Sequence, residues 1–511
     1  MDAANSKHRR FAANLVSNLA NFGLSVLIGF WFTPYLIKHL GLTGFGLIPL
    51  AMTVVSYMSI FTLSMNSSVS RYLTVALARN DTAEASRLFN TSVFSMLALS
   101  LTLLLFVIGG ALWVDKILDV PPGSEQEVRI LFAFAGVAFL INAVFAPFST
   151  PAFSCNRLEI LNCVSIAQTL ARVGFVVAMF TWMHARLWQI GGSLLIAALV
   201  AAVGGIFIWR LLAPELAIRT KDFNWNTLKD LTQTSGWVFL VQVGTLLFLS
   251  IDLVVINRLM GVEANGRYAA ILQWSNMLRG LAGTVAGIFT PTLLAHFARN
   301  DMDALVNDGN RAIKFLGVFV ALPIGLICGF ARPLLTIWLG KDFAPFAPLM
   351  VLLIAPLSVN LAISPLFTIA LAKDQMRMPG IVQIIAGFLN LGLALLLCGP
   401  VGWGMYGVAT AGAIMLTGKN LIYMPLFTAR LTRRPWFKFY REMGTIVTAT
   451  AVVGGLSWAL SLWMNITTWP SFLSCCAAVS LLYAGYIYFF ALNKNERGII
   501  AKMAAPLIRR S

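Results

Sequence analysis

The sequence contains few charged residues, and acidic residues are the scarcer of the two kinds. Only 11% of its 511 residues are charged, and 20 of them are Asp or Glu, whereas ordinary soluble domains are about 25% charged. A soluble chain of this length would divide into two or three domains joined by polar linkers. No such linker separates its apolar runs. The composition therefore excludes an ordinary soluble protein and indicates one that stays in the bilayer.

The sequence also lacks the motifs of an enzyme or of a metal site. No HExxH, P-loop or paired-Asp motif is present, and the six cysteines lie in or beside apolar segments at no metal-ligand spacing. The loops predicted on the outer side of the membrane run to about fifteen residues, too few for a catalytic domain. We therefore predict no cofactor, metal or disulfide framework, and the pattern disfavours a membrane-embedded polysaccharide polymerase or glycosyltransferase.

What the sequence does contain is one apolar run after another. A run of about 20 apolar residues crosses the hydrocarbon core as a helix, because water-free lipid makes each backbone group bond within its own segment. This criterion predicts an all-α polytopic membrane protein with about fourteen spans. Their approximate limits are 12–36, 44–70, 88–113, 128–151, 155–183, 187–211, 234–259, 265–296, 311–334, 344–371, 379–398, 403–428, 443–465 and 469–491.

The placement of Lys and Arg gives the orientation. Of the 37 basic residues, 26 fall on the side of the two termini, eight on the opposite side and three inside spans. Cytoplasmic loops carry the excess of Lys and Arg in membrane proteins. Both termini are therefore predicted to be cytoplasmic. The same bias accounts for the net charge of +17, so no nucleic-acid partner is expected.

The two halves of the chain resemble each other. The matches at an offset of 220 residues are Ala78-Arg79-Asn80-Asp81 with Ala298-Arg299-Asn300-Asp301, Asn90 with Asn310, and Gly41 and Gly46 with Gly261 and Gly266. A looser match at an offset of 218 joins Arg172-Val173-Gly174 to Asn390-Leu391-Gly392. Each glycine pair ends one helix and begins the next, where a tight turn needs residues that can adopt a positive φ.

Six spans separate the copies, and because six is even the two copies enter the membrane the same way round. The sequence thus predicts parallel repeats, as in transporters that rock two lobes around a central cavity. The predicted domains are an N-terminal six-helix lobe (1–212), a C-terminal six-helix lobe (213–430), and two extra helices with a basic cytoplasmic tail (431–511).

This arrangement resembles the polysaccharide transport branch of the multidrug/oligosaccharidyl-lipid/polysaccharide exporter superfamily. The glycine-rich turn Leu40-Gly41-Leu42-Thr43-Gly44-Phe45-Gly46-Leu47 after span one is similar to that family's turn. So is Leu259-Met260-Gly261 followed by Gly266-Arg267-Tyr268 after span seven, with Asp252 shortly before it. The resemblance covers essentially the whole chain, but its short motifs identify a superfamily more firmly than a substrate.

The resemblance implies a Wzx-type flippase of the bacterial cytoplasmic membrane. Such a protein turns an undecaprenyl-pyrophosphate-linked oligosaccharide from the inner to the outer leaflet, for O-antigen, capsule or exopolysaccharide assembly. The implied fold is a V of two six-helix lobes around a polar cleft, without an ATPase domain. The implied partners are the lipid-linked oligosaccharide, membrane lipid, a polysaccharide polymerase and other assembly proteins.

Four charged side chains lie away from the ends of the predicted spans, and these are the main candidate functional residues. An ionised group in the membrane costs a few kcal/mol or more, so it faces a polar cavity or a partner. Arg172 and Arg279 lie about a dozen or more residues from either end of their spans, and Lys419 lies nearer the cytoplasmic side. Asp252 is the only acid away from the ends of a span, and Arg71 follows a polar run at the inner end of span two.

Three cations against one acid would suit a diphosphate, which guanidinium groups bind in a bidentate manner. We therefore predict that Arg172, Arg279, Lys419 and Arg71 contact the substrate. The alternative is structural: Arg279 pairs with Asp252, and Arg172 caps the carbonyls of a neighbouring helix. Asp252 itself is either the residue that couples transport to protons or sodium, or a helix-pairing group.

Two other transport functions remain open on the sequence. A multidrug antiporter of the same superfamily is disfavoured because export of organic cations favours acids in the N-terminal lobe, and the first six spans contain none away from their ends. A flippase for the peptidoglycan lipid precursor would suit a cationic cavity equally well.

Overall fold

The computed structural model describes residues 2–79, 81–299, 301–373 and 375–491, and within these ranges some helical side chains, including that of Arg71, are outside the description. Asn80 and Asn300 of the sequence repeat also lie outside the described residues. The described residues contain α-helices, short 3-10 and π-helical turns, and no strand. The chain is an all-α polytopic membrane protein.

Eighteen α-helices follow one another along the described chain. They are α1 (Asp2–Ala78), α2 (Thr82–Ile117), α3 (Glu125–Ser154), α4 (Leu158–Trp182), α5 (Leu187–Leu212), α6 (Trp225–Leu249), α7 (Ile251–Met260), α8 (Val262–Ala298), α9 (Met302–Gly329), α10 (Ala331–Leu339), α11 (Ala347–Ile354), α12 (Leu357–Ala362), α13 (Ser364–Ala372), α14 (Arg377–Cys398), α15 (Gly404–Thr417), α16 (Met424–Thr432), α17 (Arg441–Trp463) and α18 (Trp469–Tyr486). A π-helical turn, Gly418–Tyr423, joins α15 to α16, and a second, Ile487–Ala491, follows α18.

Twelve helices of the described chain are long and apolar enough to cross a membrane. The first of them, Val16–Ile60, contains parts of the first two predicted spans, because α1 continues through a break at Gly41. The predicted span 403–428 is helical as well, from α15 through the π-helical turn into α16. Lys419 and Asn420 in that turn make this segment less apolar than the other spans. Each of the fourteen predicted spans therefore corresponds to a helical segment.

The sequence repeat is visible in the local geometry of both copies. Asp81 caps α2 by accepting a hydrogen bond from the backbone N–H of Glu84 (2.9 Å), and Asp301 caps α9 through the N–H of Ala304 (3.0 Å). The φ/ψ angles are −86°/85° at Asp81 and −86°/83° at Asp301. Such N-caps satisfy donors that would otherwise lack partners in the first turn. The repeated Asp residues thus begin equivalent helices.

Two of the four repeated glycines adopt the positive φ that the sequence predicts, whereas Gly46 and Gly266 lie inside α1 and α8 and serve close packing instead. Gly41 and Gly261 both have positive φ (71° and 87°), which side chains other than that of Gly adopt at a cost. Gly46 and Gly266 lie against each other: a Cβ on Gly46 would be 3.1 Å from the Gly266 Cα and 2.5 Å from the carbonyl oxygen of Val262. A Cβ on Gly266 would in turn overlap the carbonyl oxygen of Leu42.

These contacts are reciprocal, because Leu42 and Val262 are themselves 220 residues apart. The two repeats therefore meet around a local pseudo-two-fold axis between Gly46 and Gly266. The side-chain amide of Asn265 donates to the Gly46 carbonyl (2.9 Å) at the same place. Helix association in lipid depends on close packing and polar contacts, and small residues permit both.

The chain divides into two compact units. Unit 1 consists of Met1–Ala270 with Arg377–Ala411, and unit 2 of Ile271–Met376 with Gly412–Ser511. In unit 1, aromatic rings of α2, α3 and α5 pack together, with the ring centroid of Trp209 lying 5.8 Å from that of Phe89 and 5.3 Å from that of Phe148. In unit 2, the buried core includes Leu305, Ile363 and Ile446. The lobe boundaries predicted at residues 212 and 430 remain a prediction.

The last two helices are part of unit 2. α17 packs along α9 at glycines: a Cβ on Gly325 would lie 2.6 Å from the Val453 Cβ, and one on Gly329 would overlap the Gly454 carbonyl. α18 is attached to the same helix by a hydrogen bond from the Tyr483 hydroxyl to the Val318 carbonyl (2.8 Å). These contacts tie the residues that follow the sequence duplication to its second copy.

Candidate functional site

Two of the predicted cations lie close together in unit 2. Arg279 is on α8, and Lys419 is on the π-helical turn between α15 and α16. They are near enough for their positive charges to repel each other. The Lys419 ammonium also lies 5.3 Å from the ring centroid of Phe367 on α13, a cation–π distance. Two separate elements thus bring positive charge to one place, beside an aromatic ring from a third, within apolar, membrane-spanning helices.

The π-helical turn explains how Lys419 is placed. Its backbone hydrogen bonds join residues five apart, instead of four apart as in an α-helix: the N–H of Met424 donates to the carbonyl of Lys419. This insertion rotates the side chains of the turn relative to a regular helix. Single π-helical turns within α-helices occur frequently at functional sites. The turn is therefore a second, backbone-level indication that Lys419 belongs to a binding site.

Uncharged polar groups, which the sequence reasoning missed, surround the same turn. The side-chain amide of Asn360 on α12 donates to the Thr417 hydroxyl (3.1 Å), and α12 packs against the turn. Asn360 and Asn420 are each 5% exposed. Within the described residues, the Oδ1 atom of each receives no hydrogen bond. The polar run Gly418-Lys419-Asn420 inside an apolar span was the sequence signal that could have identified part of this cluster.

Arg172 lies in unit 1, on α4. Its side chain is half-buried, and among the described residues its buried Nε atom has no hydrogen-bond partner. Nearer the start of α4, the Asn162 amide donates to the Ser17 hydroxyl (2.9 Å) and to the Asn18 side-chain oxygen (2.7 Å) of α1. These contacts hold α4 against α1 and so fix the helix on which Arg172 stands. The substrate role of Arg172 stays a prediction.

Asp252 also lies in unit 1, and it is held by a neighbouring tyrosine. The fully buried Tyr268 donates its hydroxyl proton to Asp252 Oδ2 (2.9 Å), which links α7 to the first part of α8. Tyr57 of α1 is close enough for an electrostatic interaction with the carboxylate. This environment is compatible with helix pairing and with proton or sodium coupling. The role of Asp252 therefore stays a prediction.

The predicted site residues thus fall into two groups. Arg279 and Lys419 lie together in unit 2, whereas Arg172 and Asp252 belong to unit 1. The side chain of Arg71, the remaining candidate, lies outside the described residues. Arg279 and Lys419 can together hold an anion such as a phosphate or diphosphate, because both donate charge-assisted hydrogen bonds.

Comparison with known proteins identifies the relatives of the chain. The sequence pattern of the family described as polysaccharide biosynthesis protein matches residues 11–295. A Bacillus subtilis (strain 168) protein named uncharacterized membrane protein EpsK is 35% identical over 493 residues, covering 96% of this chain and 98% of that protein. A Shigella flexneri protein named putative O-antigen transporter is 24% identical over 428 residues, covering 81% and 97%.

Among solved structures, the chain is similar to the lipid II flippase MurJ in an inward closed conformation. The TM-score is 0.65, at 11% sequence identity, and the alignment covers 93% of this chain and 99% of that one. At this identity the similarity concerns the fold. Both kinds of comparison agree with the resemblance seen in the glycine-rich turns.

Proposed function

The chain belongs to the polysaccharide biosynthesis protein family, and from this premise we propose that it is a lipid-linked oligosaccharide flippase. Its substrate would be an oligosaccharide joined to undecaprenyl through a diphosphate, moved from the inner to the outer leaflet of the bacterial cytoplasmic membrane. That the chain is a multi-pass membrane transporter follows from its family and its fold. The name of the Shigella flexneri relative, a putative O-antigen transporter, supports the choice of substrate class.

The observation that carries the proposal is the pair of cations in unit 2. Each charge is costly within membrane-spanning helices, and placing the two side by side adds repulsion. A dianion bound between Arg279 and Lys419 would offset both costs. A diphosphate has the charge and the oxygen atoms to accept from both groups. The pair is therefore better suited to the anionic link of a lipid-linked sugar than to a neutral or cationic solute.

The proposed mechanism is alternating access of two lobes. The internal repeat supplies two similar halves, and their reciprocal contact at Gly46 and Gly266 is a small area about which such halves could turn. Arg172, on α4, is our candidate for a further contact with the substrate. Asp252 is our candidate for coupling the cycle to a proton or sodium gradient. The excess of Lys and Arg on one side supports an orientation with both termini in the cytoplasm.

The test is reorientation of a fluorescent undecaprenyl-diphosphate-linked saccharide in vesicles that contain the purified protein. A reductant that cannot cross the membrane destroys the fluorescent label in the outer leaflet and leaves the label in the inner leaflet intact. Flipping brings inner-leaflet label to the outside, so it is measured as further loss of fluorescence. We expect Arg279→Ala and Lys419→Ala to lower the rate at subsaturating substrate by about tenfold or more, since each removes a charge-assisted hydrogen bond worth about 1.5–3 kcal/mol. Arg172→Ala should also lower it.

Arg129→Ala is the matched control. Arg129 is a partly exposed cation paired with Asp115 (2.9 Å), and its removal should leave flipping unchanged. Flipping by the wild type that survives both Arg279→Ala and Lys419→Ala would refute the cationic site. Absence of flipping together with gradient-driven export of a cationic dye would indicate a multidrug antiporter. Flipping of lipid II in preference to the undecaprenyl-linked glycan would indicate the peptidoglycan precursor.

A further inference from the structure

We propose that Asn360 and Asn420 form a subsite for the sugar that is attached directly to the diphosphate. This inference rests on the proposed function, because it takes Arg279 and Lys419 as the diphosphate site. It adds a specificity element: the protein recognises the first sugar through its hydroxyl or amide protons, in addition to the charge of the link. The basis is the position and the hydrogen-bonding state of two buried amides.

The two amides belong to the π-helical turn that carries Lys419 and to the helix packed against it. Asn420 follows Lys419 on the π-helical turn, so their Cα atoms are about 3.8 Å apart. Asn360 belongs to α12, which packs against that turn, and its amide nitrogen is fixed by the Thr417 hydroxyl at 3.1 Å. Because Thr417 immediately precedes the turn, the hydrogen bond anchors the Asn360 side chain at the place where the helix widens.

Both amide oxygens lack a hydrogen-bond donor among the described residues. Each residue is 95% buried, and in the described part of the chain neither Oδ1 atom accepts a hydrogen bond. A buried acceptor that is left without a donor costs about 1–3 kcal/mol. Most buried polar groups in proteins are paired, so an exception at a binding site indicates a ligand that supplies the missing donor. Two such acceptors on touching elements suit a ligand with several donors.

The surrounding charge decides what kind of donor fits. A sodium ion would also suit amide oxygens, but the positive charges of Lys419 and Arg279 oppose its binding. A neutral donor meets no such repulsion. Sugar hydroxyl groups and the N–H of an acetamido sugar are neutral donors. In a lipid-linked glycan the first sugar is joined to the diphosphate through one oxygen atom, so it lies where a residue next to Lys419 can reach it.

The experiment compares two probes that differ only in the sugar. Undecaprenyl diphosphate and the same lipid carrying one hexose, with glucose and N-acetylglucosamine tested in turn, are titrated into the purified full-length protein in nanodiscs. In the wild type we expect at least one of the two glycosylated probes to bind about tenfold more tightly than the bare diphosphate. In Asn420→Leu and Asn360→Leu that ratio should approach one, while the affinity for the bare diphosphate stays the same.

A stability measurement separates recognition from a structural role. Without ligand, Asn420→Leu should leave the thermal midpoint unchanged or raise it, because the substitution removes a buried acceptor that has no donor. The matched control is Asn90→Leu on α2. Asn90 is also fully buried, but its side chain donates to the Ser86 and Ala217 carbonyls and accepts from the Arg219 N–H. Its replacement should lower the midpoint and leave the sugar preference intact.

The outcomes distinguish the subsite from the proposed function. If the bare diphosphate binds in an Arg279-dependent way but the sugar preference survives both Asn substitutions, the subsite is wrong and the flippase proposal stands. If neither probe binds, both proposals are wrong. A thermal midpoint that sodium raises in the wild type but not in Asn420→Leu would overturn the sugar subsite in favour of a cation site. Loss of the sugar preference alone in the Asn variants supports the subsite.

Discussion

The contact between Gly46 and Gly266 allows a sharp test of how the two repeats are joined. In Gly46→Ala the new Cβ would lie 2.5 Å from the Val262 carbonyl oxygen and 2.9 Å from the Gly266 nitrogen. All of the atoms it meets are backbone, so no flexible side chain can move aside. The helices must separate by a fraction of an ångström or more, and the nearby hydrogen bond from Asn265 to the Gly46 carbonyl must lengthen with them.

We expect this substitution to destabilise the protein by about 1–3 kcal/mol, the usual cost of adding a methyl group to a closely packed site. Gly266→Ala should cost a similar amount, since its Cβ would overlap the Leu42 carbonyl in the reciprocal position. The double substitution should cost less than the sum, because a single separation of the helices would accommodate both methyl groups. The measurement is thermal unfolding of the purified protein, followed by loss of the monodisperse peak.

Gly109→Ala is the matched control. Gly109 is also a helical glycine, but a Cβ there would meet nothing within 4 Å. Because alanine is the better helix former by about 0.5–1 kcal/mol, this variant should be neutral or slightly more stable. The reasoning fails if Gly46→Ala and Gly109→Ala melt at the same temperature, or if the double substitution costs as much as the sum of the single ones.

Three further predictions concern groups that the structure holds in place. Asp81→Ala and Asp301→Ala each remove an N-cap of equivalent geometry, so each should destabilise the protein by about 0.5–2 kcal/mol in thermal unfolding; the matching Asp→Asn variants, which keep a capping oxygen, should lose much less. Tyr268→Phe removes the hydroxyl that donates to Asp252 and should cost about 1–3 kcal/mol. Asp252→Asn should abolish any gradient dependence of flipping while substrate still binds, and an unchanged gradient dependence would restrict Asp252 to helix pairing.

The sequence by itself was sufficient for the class of protein and for its internal symmetry. Transfer of side chains from water to lipid depends mainly on local composition, so apolar runs predicted the spans without knowledge of their neighbours. The repeat was also readable, since Gly41, Gly261, Asp81 and Asp301 act through their own backbone angles and caps. The span limits place residues 212–233 in a connection, whereas α6 begins at Trp225, because the polar start of this helix gives no apolar signal.

The composition of the site depended on the tertiary structure. The sequence selected Arg279 and Lys419 one at a time, as charges within spans, but their proximity depends on how α8 and the π-helical turn rotate and pack. Asn360 and Asn420 carry no charge, so a search for charged groups within spans passes over them, although the polar run around Lys419 includes Asn420. They become notable only when their oxygens are seen to be buried without donors. Local free energies of transfer determined which segments enter the membrane, whereas contacts between distant segments determined which side chains share a site.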